Sequence, residues 1–291
     1  MNNVRTRPSI PHAEFFPQPR SSNGPARWIS VVGRDVRELA KFWPVLQNMV
    51  SQELRIRYHR SVLGFLWTLI NPILMMATLT MVFSQMYGAG GDWKQFAIYL
   101  FAGQVPWSLF SGCLTDCSTC IVQNEGLIRK IYLPKLIFPL AKVLLNLTTF
   151  VLSLVALYLL LFLLGPRIAP PMVLLPVVIV LFTTFALGLG LVLAIMNTFF
   201  RDTGHLVGVV LQAWYFATPI IYGHDNLSPA TLTRCWFNPA FPFIRMFQVI
   251  IRDGQWPSLT LFLAATGIAT VSLGIGYVTF KTHENKLVYR L

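Results

Sequence analysis

The stretch that decides the fold class is residues 143–166, which read VLLNLTTFVLSLVALYLLLFLLGP without one charged side chain. About 20 apolar helical residues cross the hydrocarbon core of a bilayer, and this run is long enough to do so. Five more charge-free runs of comparable length lie around it, at residues 61–91, 95–115, 168–200, 206–223 and 254–280. The sequence therefore predicts an all-α integral membrane protein with six transmembrane helices.

Composition and the placement of charge agree with that prediction and orient the chain. Hydrophobic residues make up 55% of the sequence and charged residues only 12%, against roughly 25% charged in a soluble domain. With both termini inside, 18 of the 23 Lys and Arg residues fall on the inner side, so the positive-inside rule predicts cytoplasmic termini. Attraction to the anionic lipids of the inner leaflet explains the net charge of +12 without a nucleic-acid partner.

The chain before the first apolar run divides into two parts. Residues 1–27 contain five prolines and no apolar period, which predicts a disordered tail. In residues 28–57 apolar side chains recur every three or four positions opposite a charged face, which predicts an amphipathic helix in the membrane interface; the alternative is a surface helix of a cytosolic domain. Pro44 leaves open whether this segment is one helix or two. The six-helix domain then covers residues 58–284, and a cytoplasmic tail covers residues 285–291.

Four motifs follow one another along the chain. Residues 54–72, LRIRYHRSVLGFLWTLINP, carry a basic run into the first apolar stretch, and residues 124–139, NEGLIRKIYLPKLIFP, separate the second and third stretches. The remaining two are FRD at 200–202 with ATPIIY at 217–222, and Asn238-Pro239 ahead of Arg245 and Arg252. Together they resemble the permease subunits of polysaccharide-export ABC transporters, which handle O-antigens, capsules and teichoic acids.

That resemblance implies a transporter subunit of the bacterial plasma membrane with no catalytic residue and no cofactor of its own. The phosphate-binding string Gly-x-x-x-x-Gly-Lys-Ser/Thr does not occur in the sequence. ATP and Mg²⁺ are therefore expected on a separate ATP-binding subunit. Because one chain supplies six spans without internal duplication, a two-fold symmetric transporter is expected to contain a second copy.

The motif at residues 124–139 predicts a short exposed helix over residues 126–133, stopped by Pro134. Such a helix suits the groove of a soluble partner, and by resemblance it is the coupling helix that touches the ATPase. The alternative is a solvated basic loop that only follows the charge rule. The candidate coupling residues are Glu125, Gly126, Leu127, Ile128, Arg129 and Lys130.

The substrate expected from the resemblance is a lipid-linked polysaccharide. Arg55, Arg57 and Arg60 stand at the inner mouth of the first run and are candidates for binding its pyrophosphate; plain attraction to membrane lipid is the alternative. Charged groups inside spans are costly and therefore usually functional. Asp116, near the inner end of the second run, is the acidic candidate of that kind, whereas Lys142 can snorkel.

Aromatic residues are 13% of the chain and cluster in the apolar runs. A pyranose packs its apolar face on an aromatic ring, so these rings are candidates for a sugar path; the alternative is interfacial belts and helix packing. The apolar outer segment around residues 224–255 is punctuated by prolines and predicts re-entrant helices before the last span, with a surface loop as the alternative. The path candidates are Trp67, Tyr99, Phe101, Trp107, Phe110, Trp214 and Tyr215.

Two other functions compete with glycan export. A membrane-embedded glycosyl or lipid transferase would show clustered acidic residues at one membrane face, and the outer face has only three scattered aspartates. Only the resemblance favours a glycan exporter over a related exporter of drugs or small lipids. No metal site is predicted, because the Cys-x3-Cys-x2-Cys run at Cys113, Cys117 and Cys120 lies in an apolar helix, where packing explains the thiols.

Overall fold

The computed structural model describes residues 25–58, 93–164, 169–222 and 228–290, together with residues 66–67, 70, 73–75, 77–78 and 81–82. These residues form helices and turns and no strand, so the predicted all-α class is confirmed for them. In chain order the elements are α1 (Pro25–Lys41), α2 (Trp43–Tyr58), α3 (Trp93–Gln123), α4 (Glu125–Lys130), α5 (Ile137–Leu164), a 3-10 turn (Pro170–Leu174), α6 (Leu175–Phe199), α7 (Thr203–Phe216), α8 (Pro229–Cys235), α9 (Phe241–Ile251) and α10 (Leu259–Arg290).

Four stretches of the described chain are long and apolar enough to cross a membrane: Gln95–Gln123, Ile137–Val155, Pro170–Phe199 and Leu259–Leu287. They coincide with four of the six predicted spans. Most of the first predicted span, residues 61–91, lies outside the described residues. The fifth, residues 206–223, overlaps α7, whose 14 residues rise only about 21 Å. The count of six spans therefore remains a prediction.

The amphipathic segment ahead of the spans forms two helices. α1 ends at Lys41 and α2 begins at Trp43. Pro44 lies in the first turn of α2, where a missing N–H breaks no helical hydrogen bond. α1 starts at Pro25, three residues before the predicted boundary, and belongs to a compact unit separate from the rest of the described chain.

α3 lies at the centre of the larger unit, where it contacts α5, α6, α7 and α9. Its Phe110 ring stacks on Phe182 and Phe185 of α6, with centroids 5.4 and 5.3 Å apart. Phe243 of α9 stacks on the same two rings at 5.1 and 5.0 Å. Aromatic rings from three helices therefore form the middle of the core.

α6 and α10 cross where both helices carry small residues. A side chain on Gly276 would overlap the Gly188 backbone, with its Cβ 2.8 Å from Gly188 C. The Ser272 hydroxyl donates to Phe185 O across the same crossing at 3.1 Å. Such small-residue contacts let two membrane helices approach closely.

α9 is a short helix enclosed by its neighbours. Every residue of Phe241–Ile251 is buried except Arg245, which is half-buried. The helix closes on Gly254, whose φ of 62° is a left-handed conformation that favours glycine, and Gln255 N donates back to Val249 O at 3.2 Å. The outer segment predicted to be re-entrant thus contains a buried 11-residue helix.

Candidate functional site

The candidate coupling residues form α4, a six-residue helix in which none is buried. The helix is shorter than the predicted 126–133, because it ends at Lys130 and Ile131 is already extended, with φ −133° and ψ 147°. Tyr132 follows with 79% of its surface exposed. Within α4, Arg129 and Glu125 form an exposed ion pair at 2.7 Å. The segment therefore presents charged and aromatic side chains to solvent.

Both ends of this segment are fastened to long helices. Asn124 joins α4 to α3, since its Nδ2 donates to Cys120 O at 2.8 Å and its carbonyl accepts from Leu127 N at 3.0 Å. In the segment between α4 and α5, Lys135 Nζ donates to Glu284 O of α10 at 2.7 Å. Burial lowers the pKa of Lys135, and Glu284 opposes that shift. A movement of α4 therefore reaches α3 directly and α10 through one lysine.

A group of charged and amide side chains joins α2, α3 and α5 near the α4 end of the bundle. We call it the polar cluster, and it consists of Glu53, Arg57, Asp116, Lys142, Asn146 and Thr149. Both carboxylate oxygens of Glu53 lie 2.8 Å from Lys142 Nζ. Since the Lys142 side chain is only 11% exposed, this ion pair is well shielded from water and holds α2 on α5.

Arg57 approaches the same cluster more loosely. Its Nη2 is 3.8 Å from Asp116 Oδ2 and its Nη1 is 3.5 Å from Thr149 Oγ1. Asp116 itself is held firmly, because Asn146 Nδ2 donates to its Oδ2 at 2.8 Å. Of the other two pyrophosphate candidates, Arg55 is exposed on α2 and Arg60 lies outside the described residues.

One side of α3 is polar along most of its length. Between Ala97 and Ile121, every residue of α3 that is not buried is polar or glycine. The hydroxyls of Ser108 and Ser111 donate to backbone carbonyls one turn earlier, so their lone pairs remain available as acceptors. We call this surface the polar face of α3, and its members are Gln104, Ser108, Ser111, Gly112, Thr115, Asp116 and Thr119.

α5 adds a second row of polar groups beside the polar cluster. Lys142, Asn146, Thr149 and Ser153 follow at steps of four, three and four, which places them on one side of the helix. Asn146 lies so close to Gly112 that a Cβ there would overlap its side-chain oxygen. The absence of a side chain at Gly112 therefore lets the amide reach Asp116.

The candidate path aromatics have different environments. Tyr99, Phe101, Trp107 and Phe110 are buried among helices of their own chain. Trp214 and Tyr215 are half-buried at the end of α7, and Trp67 is exposed. A sugar path along the first four requires these helices to part; as path residues, all seven remain a prediction.

Hydrogen bonds tie the end of α7 to its neighbours. Trp214 Nε1 donates to Asn238 Oδ1 at 2.7 Å, and Tyr215 Oη donates to Gln104 Oε1 at 2.5 Å. Tyr99 Oη lies 2.9 Å from the carbonyl oxygens of Pro219 and Tyr222. These bonds close the turn after α7 onto α3 and the segment before α9.

Sequence reasoning missed Asn146, Thr149 and Gln104, which the structure brings to the polar cluster and the polar face. Polar residues inside apolar runs lower the mean hydropathy without revealing which side they occupy. Their helical spacing was the available signal, since one face of α5 and one face of α3 each repeat every three or four residues.

The four described helices that are long and apolar enough to cross a membrane indicate a multi-pass membrane protein. The family model of the ABC-2 type transporter matches residues 44–251. The chain therefore belongs to the ABC-2 type transporter membrane family.

Several relatives align over most of their length. The chain is 31% identical over 255 residues to the O-antigen export system permease protein of Myxococcus xanthus, covering 87% of this chain and 97% of that one. The corresponding protein of Klebsiella pneumoniae is 24% identical, with 87% and 95% covered. The polysialic acid transport protein of Escherichia coli is 20% identical, with 84% and 95% covered.

Proposed function

We propose that the chain is the permease of an ABC exporter that moves a lipid-linked polysaccharide across the bacterial plasma membrane. Relatives named for O-antigen export and polysialic acid transport support this, because they align with 84% or more of the chain. The motifs at residues 54–72 and 124–139 lie within the region that the family model matches and agree with this proposal. The function rests most directly on one structural observation, the polar face of α3.

A polar helix face is expensive next to lipid. Exposed positions of a span normally carry apolar side chains, as Val177 and Val180 do on α6. On the polar face of α3 the exposed residues carry hydroxyls, and the half-buried ones include an amide and a carboxylate. Polar and ionisable groups within a span face water, a polar ligand or another chain. Acceptor-rich hydroxyl rows suit the many O–H donors of a sugar chain, so we infer that this face borders the glycan path.

The topology we propose has six spans, with both termini in the cytoplasm and α2 in the inner interface. Shielding of Glu53 and Lys142 between α2 and α5 supports an interfacial position for α2. The brevity of α7 and the burial of α9 support a re-entrant segment between the fifth and last spans, since only backbone enclosed by protein leaves the helical state inside a membrane.

Transport is driven from a separate subunit. The partner we propose is an ATPase that binds ATP and Mg²⁺ and grips the exposed α4. Two copies of this chain and two ATPase subunits form the exporter, with the path between the permeases. Closing of the ATPase pair moves α4, and α3 carries the movement to its polar face through the Asn124 junction.

Recognition of the lipid carrier falls to the arginines of residues 54–60. A guanidinium forms paired, charge-assisted hydrogen bonds with phosphate oxygens. Arg55 is exposed and the contacts of Arg57 are long, so both side chains have donors to give to a diphosphate. The aromatic residues at the end of α7 and Trp67 are the path candidates that need the least rearrangement.

The function is tested in the host bacterium by deleting the gene and measuring surface glycan against intracellular lipid-linked glycan. We expect surface glycan to disappear and the lipid-linked form to accumulate. Unchanged glycan with altered export of a drug or small lipid would instead assign the chain to that related function.

The role of the polar face is tested by Thr115→Leu in the complemented strain, with Val180→Leu as the control. Threonine and valine have nearly the same shape, and both positions are exposed in spans. Only the first change removes a hydroxyl from the proposed path, so we expect Thr115→Leu alone to reduce export at equal protein level. Equal export by the two variants would remove this face from the path.

A further inference from the structure

The polar cluster contains one tight and one loose ion pair on the same face of α2. Glu53 and Arg57 are four residues apart, so they lie one turn from each other. Glu53 contacts Lys142 at 2.8 Å through both oxygens. Arg57 stays 3.8 Å from Asp116, well beyond the 2.7–2.9 Å of a strong charge-assisted hydrogen bond.

Of the two partners in the loose ion pair, Asp116 is firmly held and Arg57 is not. Asn146 holds Asp116 by a 2.8 Å hydrogen bond and is itself anchored, since its Nδ2 also lies 2.9 Å from Lys142 O. Gly112 leaves the space in which this amide sits. The Arg57 side chain is 40% exposed, so it can leave Asp116 without disturbing the rest of the cluster.

Holding α2 in place does not require the loose pair. The shielded contact between Glu53 and Lys142 already joins α2 to α5. Asp116 lies seven residues before the end of α3, about 10 Å along the helix, where an ionised group is costly. A neutral amide at that position could accept the same bond from Asn146, so the negative charge has another use.

We propose that Asp116 is a competing counter-ion that holds Arg57 when the site is empty and yields it to the diphosphate of the substrate. This inference rests on the proposed function, since it assigns regulation to the proposed head-group site. A diphosphate carries more negative charge than one carboxylate and offers the guanidinium fork two acceptors. Once Arg57 has moved, the fixed Asp116 repels the bound anion, which weakens the complex and favours release after each transport cycle.

The experiment uses the purified permease–ATPase complex in phosphatidylcholine nanodiscs, without anionic lipid to occupy the arginines. Binding of farnesyl diphosphate is titrated for the unmodified protein and for Asp116→Asn, which keeps the acceptor for Asn146 and loses the charge. We expect Asp116→Asn to bind farnesyl diphosphate about fivefold more tightly, because the ligand no longer has to break one partly exposed ion pair. Asp116→Glu, which retains the charge, should bind like the unmodified protein.

Two further variants decide how Asp116 acts. Asp202→Asn removes one exposed carboxylate at the start of α7 and should leave the affinity unchanged, which excludes an effect of net charge. In an Arg57→Gln background, Asp116→Asn should gain clearly less affinity than it does when Arg57 is present. An equal gain in both backgrounds would overturn the proposal, because Asp116 would then act by simple repulsion.

Failure of the inference and failure of the proposed site give different results. If Arg57→Gln weakens diphosphate binding but Asp116→Asn does not strengthen it, the head-group site stands and the counter-ion role is wrong. If Arg57→Gln leaves the affinity unchanged, Arg57 does not bind the diphosphate and both fail. Elution of every variant as an intact complex in size-exclusion chromatography is the control for folding.

Discussion

The crossing of α6 and α10 allows a sharp test of the packing, because α10 carries two nearby glycines in opposite surroundings. Gly276 faces the Gly188 backbone, whereas a Cβ on Gly274 would meet nothing within 4 Å. Gly276→Ala and Gly274→Ala therefore add the same methyl group two residues apart on the same helix. Any difference between them reports the contact with α6.

The magnitude follows from the distances. A methyl group at position 276 would lie 2.8 Å from Gly188 C and 2.9 Å from its Cα. Carbon atoms pack at about 3.5–4.0 Å, and the Gly188 carbonyl oxygen would lie closer still, so α6 and α10 have to separate by about 1 Å. Overpacking of this kind costs about 1–3 kcal/mol, and the separation also strains the bond from Ser272 to Phe185 O. At Gly274 the change should be near zero or a gain of at most about 1 kcal/mol from helix propensity.

The assay can use the protein's own thiols. All four cysteines of the chain are buried, so a thiol-reactive dye becomes fluorescent as the detergent-solubilised protein unfolds on heating. We expect Gly276→Ala to unfold about 2–10 °C below the unmodified protein, with Gly274→Ala between the unmodified value and about 4 °C above it. Equal unfolding temperatures for the two variants would refute the close approach of α6 and α10.

Three further predictions concern coupling, recognition and the outer segment. Replacing Arg129 and Lys130 by Glu should leave the permease in the membrane but abolish transport-linked ATPase activity, because the partner's groove would meet the wrong charge; unchanged activity would remove α4 from the interface. Replacing Arg55 and Arg57 together by Gln should cut glycan export sharply, with the Lys pair intermediate because lysine keeps the charge and loses the planar fork; equal export by all three strains argues for plain lipid attraction. Asn238→Ala removes the four hydrogen bonds of this side chain, two of them at 2.7 and 2.8 Å, and should lower the free energy of unfolding by about 2–3 kcal/mol, measured by the same dye; an unchanged unfolding temperature would contradict it.

The long spans could be predicted because twenty consecutive apolar residues have no other common explanation. Their ends could not be predicted from charge alone. The second run was predicted to end at Thr115, before the first acidic residue, yet α3 continues to Gln123. Asp116 is tolerated inside the helix because Asn146 donates to it, and that partner lies thirty residues away in sequence. A contact between two helices leaves no mark in either run read separately.

The segment around α7 shows the opposite error, because its helix is shorter than the run of residues predicted to form a span. Residues 206–223 carry no charge and are mostly apolar, so hydropathy predicts one span, but the helix ends at Phe216. Pro219 cannot donate a helical hydrogen bond, and its carbonyl instead accepts from Gln248 at 2.9 Å. Apolar composition indicates that a segment lies in the membrane or in a protein core; it does not show whether the segment forms a complete span or a helix that ends in a turn.

The aromatic residues illustrate why a site is harder to predict than a fold. Clusters of rings in the sequence suggested a path, but core packing and sugar stacking demand the same residue types, and only burial distinguishes them. Phe110 touches rings from α6 and α7, which is what a core residue does. Polar residues that follow one face of a membrane helix are more informative, because hydrocarbon does not favour polar groups.

The junction between α3 and α4 joins the polar face of α3 to the exposed coupling segment. Asn124 bonds backward to Cys120 and forward to Leu127, so the exposed α4 continues from the helix that carries the polar face. A partner that displaces α4 therefore moves α3 as well, and Ser108 and Thr115 turn with it. At the same end, Asp116 faces Arg57 of α2. In the cycle we propose, rotation of α3 changes the lining of the proposed path and the distance between Asp116 and Arg57 together. We therefore propose that release of the lipid head group is linked to the step that moves the glycan.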